Sequence, residues 1–211
     1  MAQKVAPQIV NLSGKESGSG EKNTINSSNV ESNDILSNDN TDIDWNSLKS
    51  EVENMYDSWT TILMDLTTLN VNKENLLKYN STLDSIVNDF DNEDKSASLT
   101  HLADLYNLLT LYVKDFAADS NQVSAYNVKS NILYAYAHVE NDDWDTVKKY
   151  ISSAKEEFSN VLNNQVNNVN NMDEINKSYI LINELEEDSN NKNKKVFYVN
   201  YRNLMQELGN I

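Results

Sequence analysis

The apolar positions from Trp45 to Leu69 fall three and four residues apart: Trp45, Leu48, Val52, Met55, Trp59, Ile62, Leu66 and Leu69. That spacing lays all eight on one stripe of an α-helix. Asp44 or Asp42 can cap it by accepting a free backbone N–H. Residues 70–72 interrupt the stripe, and Asn72 can cap a second helix with Leu76, Tyr79, Leu83, Ile86 and Phe90 inward. An acidic linker at 91–94 leads into a third, whose inward residues are Leu102, Leu105, Leu109, Tyr112 and Phe116.

A fourth helix is predicted over 121–140. Its Val128, Ile132, Leu133, Ala135, Ala137 and Val139 fall on more than one face, which makes it the most enclosed. Residues 141–143 read as a tight turn and cap for a fifth, carrying Trp144, Val147, Ile151, Ala154, Phe158 and Val161. The sixth and seventh cover 173–188 and 194–208, with Gly209 at the C′ position that favours a left-handed backbone. No glycine lies between Gly20 and Gly209, no proline follows Pro7, and no run of β-branched residues alternates. The prediction is all-α, an antiparallel bundle of about seven helices.

A shift of 99 residues superimposes the two halves of this pattern. Asp44-Trp45 meets Asp143-Trp144, Val52 meets Ile151, Trp59 meets Phe158, Asn72 meets Asn171, and Leu105 meets Leu204. Helix starts, apolar phase and linkers keep one offset, so helices one to three match five to seven, with helix four joining the two units. A stack of helix pairs is the other architecture the pattern admits.

Residues 1–43 are different in kind. They hold three of the four glycines, the only proline and none of the 18 aromatic residues. Such a segment cannot bury enough apolar surface to offset an ordering entropy of roughly 1–2 kcal/mol per residue. It is expected to be a disordered tail or tether, with 44–211 as the helical domain.

The 211-residue chain carries 33 acidic and 17 basic side chains, a formal charge of −16. That balance argues against nucleic acid and anionic lipid, because every phosphate contact begins with repulsion. Arg202 is the sole arginine, so any bidentate phosphate or carboxylate clamp would rest on it. Absence of cysteine removes disulfides, thiol catalysis and thiolate metal sites. No run of 18 apolar residues spans a membrane, and the first ten residues contain no uninterrupted apolar signal core. Met1 is either the natural start or follows a removed export signal. Asparagine occurs 35 times, so the four glycosylation-type sequons at Asn11, Asn26, Asn80 and Asn176 match chance expectation.

Without glycine in the folded part, a P-loop, a dinucleotide fingerprint and a nucleophile elbow are all excluded in their standard forms. The two histidines, His101 with Asp104 one turn on and His138 beside Glu140, could converge on a metal if helices three and four are neighbours. The chain has no Glu-x-x-His pair of the kind that di-metal bundles use, however. His101 reads instead as a partly exposed polar residue, and His138 as packed on Tyr134. The stretch 89–94 has the density of acids of a calcium loop but lacks its glycine and its closing glutamate, so it reads as a capped interhelical linker. Trp45, Trp59 and Trp144 occupy core positions, whereas Tyr126 and Tyr136 are the candidates for a partner-binding surface. No catalytic, cofactor or metal-binding residue is assigned, and no cofactor is expected.

A Ser-, Asn- and Gly-rich spacer from Asn11 to Asp44 followed by an acidic helical domain resembles the small helical surface lipoproteins of low-GC Gram-positive bacteria. The resemblance implies an extracytoplasmic, membrane-anchored location and a non-enzymatic role in binding a protein or surface ligand. This chain has neither a lipobox nor a cysteine, so a lipid anchor would belong upstream of it. A 43-residue flexible coil reaches roughly 35–40 Å, which suits a tether. The other classes are a cytosolic helical scaffold or adaptor offering a groove to partner helices, and, after it, a cation-binding bundle.

Overall fold

The computed structural model describes residues 43–69, 71–116, 120–164 and 171–211. The expected tail falls, apart from Ile43, outside the described residues. Seven helices occur among those described: α1 Trp45–Thr68, α2 Lys73–Asp91, α3 Lys95–Phe116, α4 Ser120–Val139, α5 Trp144–Asn164, α6 Met172–Asn191 and α7 Lys194–Leu208. Each packs on the helix that follows it, and α7 returns to pack on α4. The result is an antiparallel bundle with one continuous core.

Short polar side chains start the helices. Asp44 accepts the Ser47 N–H at 3.0 Å, Asn72 that of Glu74 at 2.9 Å, Asp94 that of Ala97 at 3.0 Å, and Asn193 that of Val196 at 3.4 Å. Each satisfies a backbone donor that the first helical turn leaves free. The acidic stretch at 89–94 is therefore a capped linker.

The 99-residue shift carries α1, α2 and α3 onto the starts of α5, α6 and α7 residue for residue. A finer repeat lies inside it. Three hairpins, α2–α3, α4–α5 and α6–α7, turn through a left-handed residue: Glu93 (φ 55°), Asp142 (φ 54°) and Lys192 (φ 55°). In each turn the carbonyl four residues before the left-handed residue accepts from the N–H of the residue after it: Asp89 from Asp94 at 2.9 Å, His138 from Asp143 at 3.2 Å, and Asp188 from Asn193 at 2.9 Å. This is Schellman closure, usually made by glycine. The helix α4 that joins the two units is thus the register-equivalent of α2 and α6. Tyr79, Val128 and Ser178 occupy the same buried site on these three helices, as do Ile86, Ala135 and Leu185.

The two units trade volume across that register. Phe90 and Ser98 are both buried in the first, Ser189 and Phe197 in the second, so bulk and hydroxyl exchange places. In each unit the phenylalanine packs on the tryptophan that opens the preceding odd-numbered helix, Trp45 to Phe90 at 5.7 Å and Trp144 to Phe197 at 6.3 Å.

Several expectations need correction. Leu69 (56% exposed) and Phe116 (50% exposed) continue the apolar stripe but leave the core, because they lie at helix ends that no neighbouring helix covers. Trp45, Leu48 and Ile62 are only half-buried. Gly209 adopts an ordinary right-handed conformation (φ −66°). Among the described non-glycine residues the left-handed positions are Glu93, Asp142 and Lys192 instead. Tyr136, expected on the surface, is buried and stacks on Tyr201 at 4.2 Å, because α7 folds back over that face of α4.

Candidate functional site

The chemistry-bearing side chains divide between the two ends of the bundle. One end carries the three tight turns and the start of α1. There the last turn of each hairpin's first helix meets the second turn of its second helix, twelve residues on. His101 Nδ1 lies 2.6 Å from Asp89 Oδ2. His138 stacks on Tyr150 with ring centroids 5.8 Å apart. The Asn200 amide donates to Asp188 Oδ2 at 2.8 Å. These are one structural position filled in three ways.

His101 is partly exposed, as expected, and each histidine meets its partner across its own hairpin. His101 pairs with Asp89 rather than Asp104, whose carboxylate accepts from Tyr134 Oη at 2.7 Å and ties α4 to α3. His138 packs on Tyr150 rather than Tyr134, and its Nδ1 stands 3.4 Å from Asp143. Tyr134 in turn stacks on Tyr150 at 4.8 Å. The two imidazoles are each engaged in their own hairpin, and no group of three or more His, Cys, Asp or Glu able to hold a metal occurs among the described residues.

Glu140, just past the end of α4, gathers a cluster that periodicity does not reveal. Lys95 at the start of α3 reaches Oε1 at 2.6 Å, and Tyr198 Oη donates to the same oxygen at 2.9 Å. Lys194 at the start of α7 donates to the Glu140 carbonyl at 3.0 Å and approaches Oε2 at 3.6 Å. Lys95 and Lys194 are equivalents under the 99-residue shift, so both units clasp one carboxylate. Burial alone would raise the Glu140 pKa; hydrogen bonding and charge from Lys95, helped by Tyr198 and Lys194, outweigh it and hold the carboxyl below its usual range. Asp188 goes the other way, raised by burial and by Glu184 and Glu187 against the opposing Asn200 bond.

The opposite end is built from the end of α1, the start of α2 and the end of α3. Trp59 is buried there, stacked on Tyr79 at 3.7 Å and tilted against Tyr112 at 6.1 Å, with its indole N–H donated to Asn80. The Asn80 sequon thus has its side chain engaged. The Tyr79 and Tyr112 hydroxyls are buried without a hydrogen-bond partner. Met64, Leu69, Leu77, Leu111 and Phe116 are exposed at this same end. Of the two tyrosines proposed for a partner surface, Tyr126 is half-buried with its ring 6.5 Å from Tyr106, and Tyr136 is core. Sequence reasoning missed the aromatic end because its stripe positions look like any others; the exposure of Leu77, off the stripe of α2, is the one signal it offered.

No family model matches the chain, and neither does any curated protein or solved structure. No helix among the described residues is long and apolar enough to cross a membrane.

Proposed function

We propose that the chain is a non-enzymatic helical binding domain, held at a cell surface through its N-terminal segment and presenting its far end to a ligand. The observation that carries this is polarity along the bundle axis. The chain enters α1 at the end closed by tight turns and the Glu140 clasp. Five of the eight large apolar side chains exposed among the described residues lie toward the other end, about 36 Å away for a 24-residue helix at 1.5 Å per residue. A domain anchored at one end and apolar at the other is arranged to meet a partner distally. The histidines and hairpin carboxylates favour the non-catalytic reading, because they fill one structural position in every hairpin.

The test is the intact mass and fractionation of the protein from its source cells. A lipid-modified N-terminus in the membrane fraction is the expected outcome. An unmodified soluble product beginning at Met1 would overturn the tethered reading in favour of a cytosolic scaffold or adaptor. A melting temperature that rises with calcium or a transition metal would favour the cation-binding bundle.

A further inference from the structure

We propose that α1 takes an antiparallel, basic amphipathic helix of a partner protein along the face that α4 covers on α5. The three hairpins set a first helix before each of α3, α5 and α7, whereas α1, which shares their register, has none before it among the described residues. What that vacancy leaves open is visible position by position. Trp144, Val147 and Val161 of α5 are buried, yet their equivalents Trp45, Leu48 and Ile62 on α1 are half-buried. Leu48 is the clearest case, since its equivalents Ser98, Val147 and Phe197 are buried in all three complete hairpins. On α5 the cover is α4, which stacks Tyr134 on Tyr150 at 4.8 Å and donates from the Asn127 amide to Glu157 at 3.4 Å. A helix laid along the same line of α1 meets Glu51 and Ser58, the equivalents of Tyr150 and Glu157.

The occupant is specified by turn chemistry, apolar pattern and charge. Each hairpin needs a left-handed residue two before its second helix, supplied by Glu93, Asp142 or Lys192. Before α1 that position holds Ile43, whose β-branched side chain disfavours the conformation. The sequence leading into α1 also offers Asn29, Asn33, Leu36 and Asn40 where α4 offers Val128, Ile132, Ala135 and Val139, one apolar side chain against four. This chain's own N-terminal sequence therefore lacks both the turn and the face. A second copy brings a charge of −16 to a surface of the same sign, and each of its described helices is already packed in its own bundle. The line on α1 is itself acidic. Asp44 and Glu51 stand where Asp143 and Tyr150 meet His138 of α4, and Asp65 continues the line, while Lys49, the single base of α1, turns to Asp91 on α2 at 2.9 Å. Carboxylates along a half-buried apolar strip select a helix that carries lysine or arginine beside its apolar face.

This inference rests on the binding-domain reading and names a partner class for it. Its test uses purified full-length protein, so the result does not depend on where the chain is anchored. The probe is a lysine-rich helical peptide of the 20-residue length of α4, with Val, Ile, Ala and Val at the spacing of Val128, Ile132, Ala135 and Val139. Calorimetric titration at about 0.15 M salt, where long-range attraction is screened, is expected to saturate at one peptide per chain. A peptide of equal charge with its apolar spacing scrambled, and one with glutamate for lysine, should each bind at least tenfold more weakly. Ser58→Lys, at a half-buried polar site on the line, should lose at least tenfold in affinity while keeping its circular dichroism. Asp65→Lys, at an exposed site, should lose at least threefold, and Tyr179→Ser, exposed on α6, should lose nothing. Equal binding of the scrambled peptide, or undiminished binding by both α1 variants, would overturn the proposal. So would absence of saturable heat: sedimentation as a dimer that Ser58→Lys dissociates would then give the face to a second copy, and binding recovered in Ile35→Ser/Leu36→Ser would give it to the chain's own N-terminal sequence.

Discussion

The exchange of Phe90 and Ser98 for Ser189 and Phe197 can be tested by writing the second unit's solution into the first. Phe90 is 1% exposed and supports Trp45, so Phe90→Ser should cost about 3–5 kcal/mol in transfer and cavity terms. The new hydroxyl adds little to that, because Ser189 shows where it goes: its Oγ donates to the Glu186 carbonyl at 2.7 Å. Ser98→Phe alone overpacks a site 3% exposed and should cost about 1–3 kcal/mol. If the two sites share one volume, the double variant Phe90→Ser/Ser98→Phe places the ring where Phe197 sits in the other unit. It should then recover about 1–3 kcal/mol of the summed loss, within the usual range for coupled neighbours. Urea denaturation followed by far-UV circular dichroism on the four proteins closes the cycle. Costs that add to within about 0.5 kcal/mol would show that the sites are independent, and the register equivalence would fail as an account of packing.

Trp59→Ala should lower stability by about 3–5 kcal/mol, since the indole is buried and stacked on Tyr79; a loss below about 1 kcal/mol in the same denaturation assay would mean that it is not core. Glu140→Gln should cost about 1–3 kcal/mol at pH 7 by weakening charge-assisted bonds to two lysines. Because the folded carboxyl lies below its usual pKa, that contribution is complete at neutral pH and fades as pH falls through the carboxylate range. Wild type and variant should therefore converge in acid melts, and a gap that widens there would refute the clasp. Lys129, its pKa lowered to about 8 by burial, is charged at pH 7 at a cost. Lys129→Met should stabilise by about 1–2 kcal/mol at that pH. The wild type should close this gap as pH rises from about 8 toward 10.5, and thermal melts in which the variant is no more stable at pH 7 would sink the point.

Helix starts were legible because two independent signals coincide: a short polar side chain that can cap, and the first residue of a three-four stripe. Asp44, Asn72 and Asp143 all accept the expected backbone N–H. Helix ends were less legible, since Leu69 and Phe116 carry the stripe beyond the last covering neighbour. Periodicity identifies a face but not what returns to cover it, so Tyr136 under α7 could not be foreseen from α4 alone. The same limit hid Glu140, whose partners lie 45 and 54 residues away at the starts of two other helices. The histidine partners were missed for a subtler reason. His101 meets a residue twelve positions back across a turn, a separation that only the three-hairpin register makes meaningful.

A chain of hairpins stacked in order ordinarily unravels from its ends, each unit melting with its own neighbour. The return of α7 onto α4, sealed by Lys194 and Tyr198 on Glu140, ties the last hairpin to the one before it as well as to its own partner helix. Lys95 ties the first hairpin to the same carboxylate. Cooperativity is thereby concentrated at the middle of the chain: α2 through α7 should unfold in one calorimetric step, with equal van't Hoff and measured enthalpies. In Glu140→Ala that single step should broaden or divide, as the braced bundle takes on the behaviour of a linear array of hairpins.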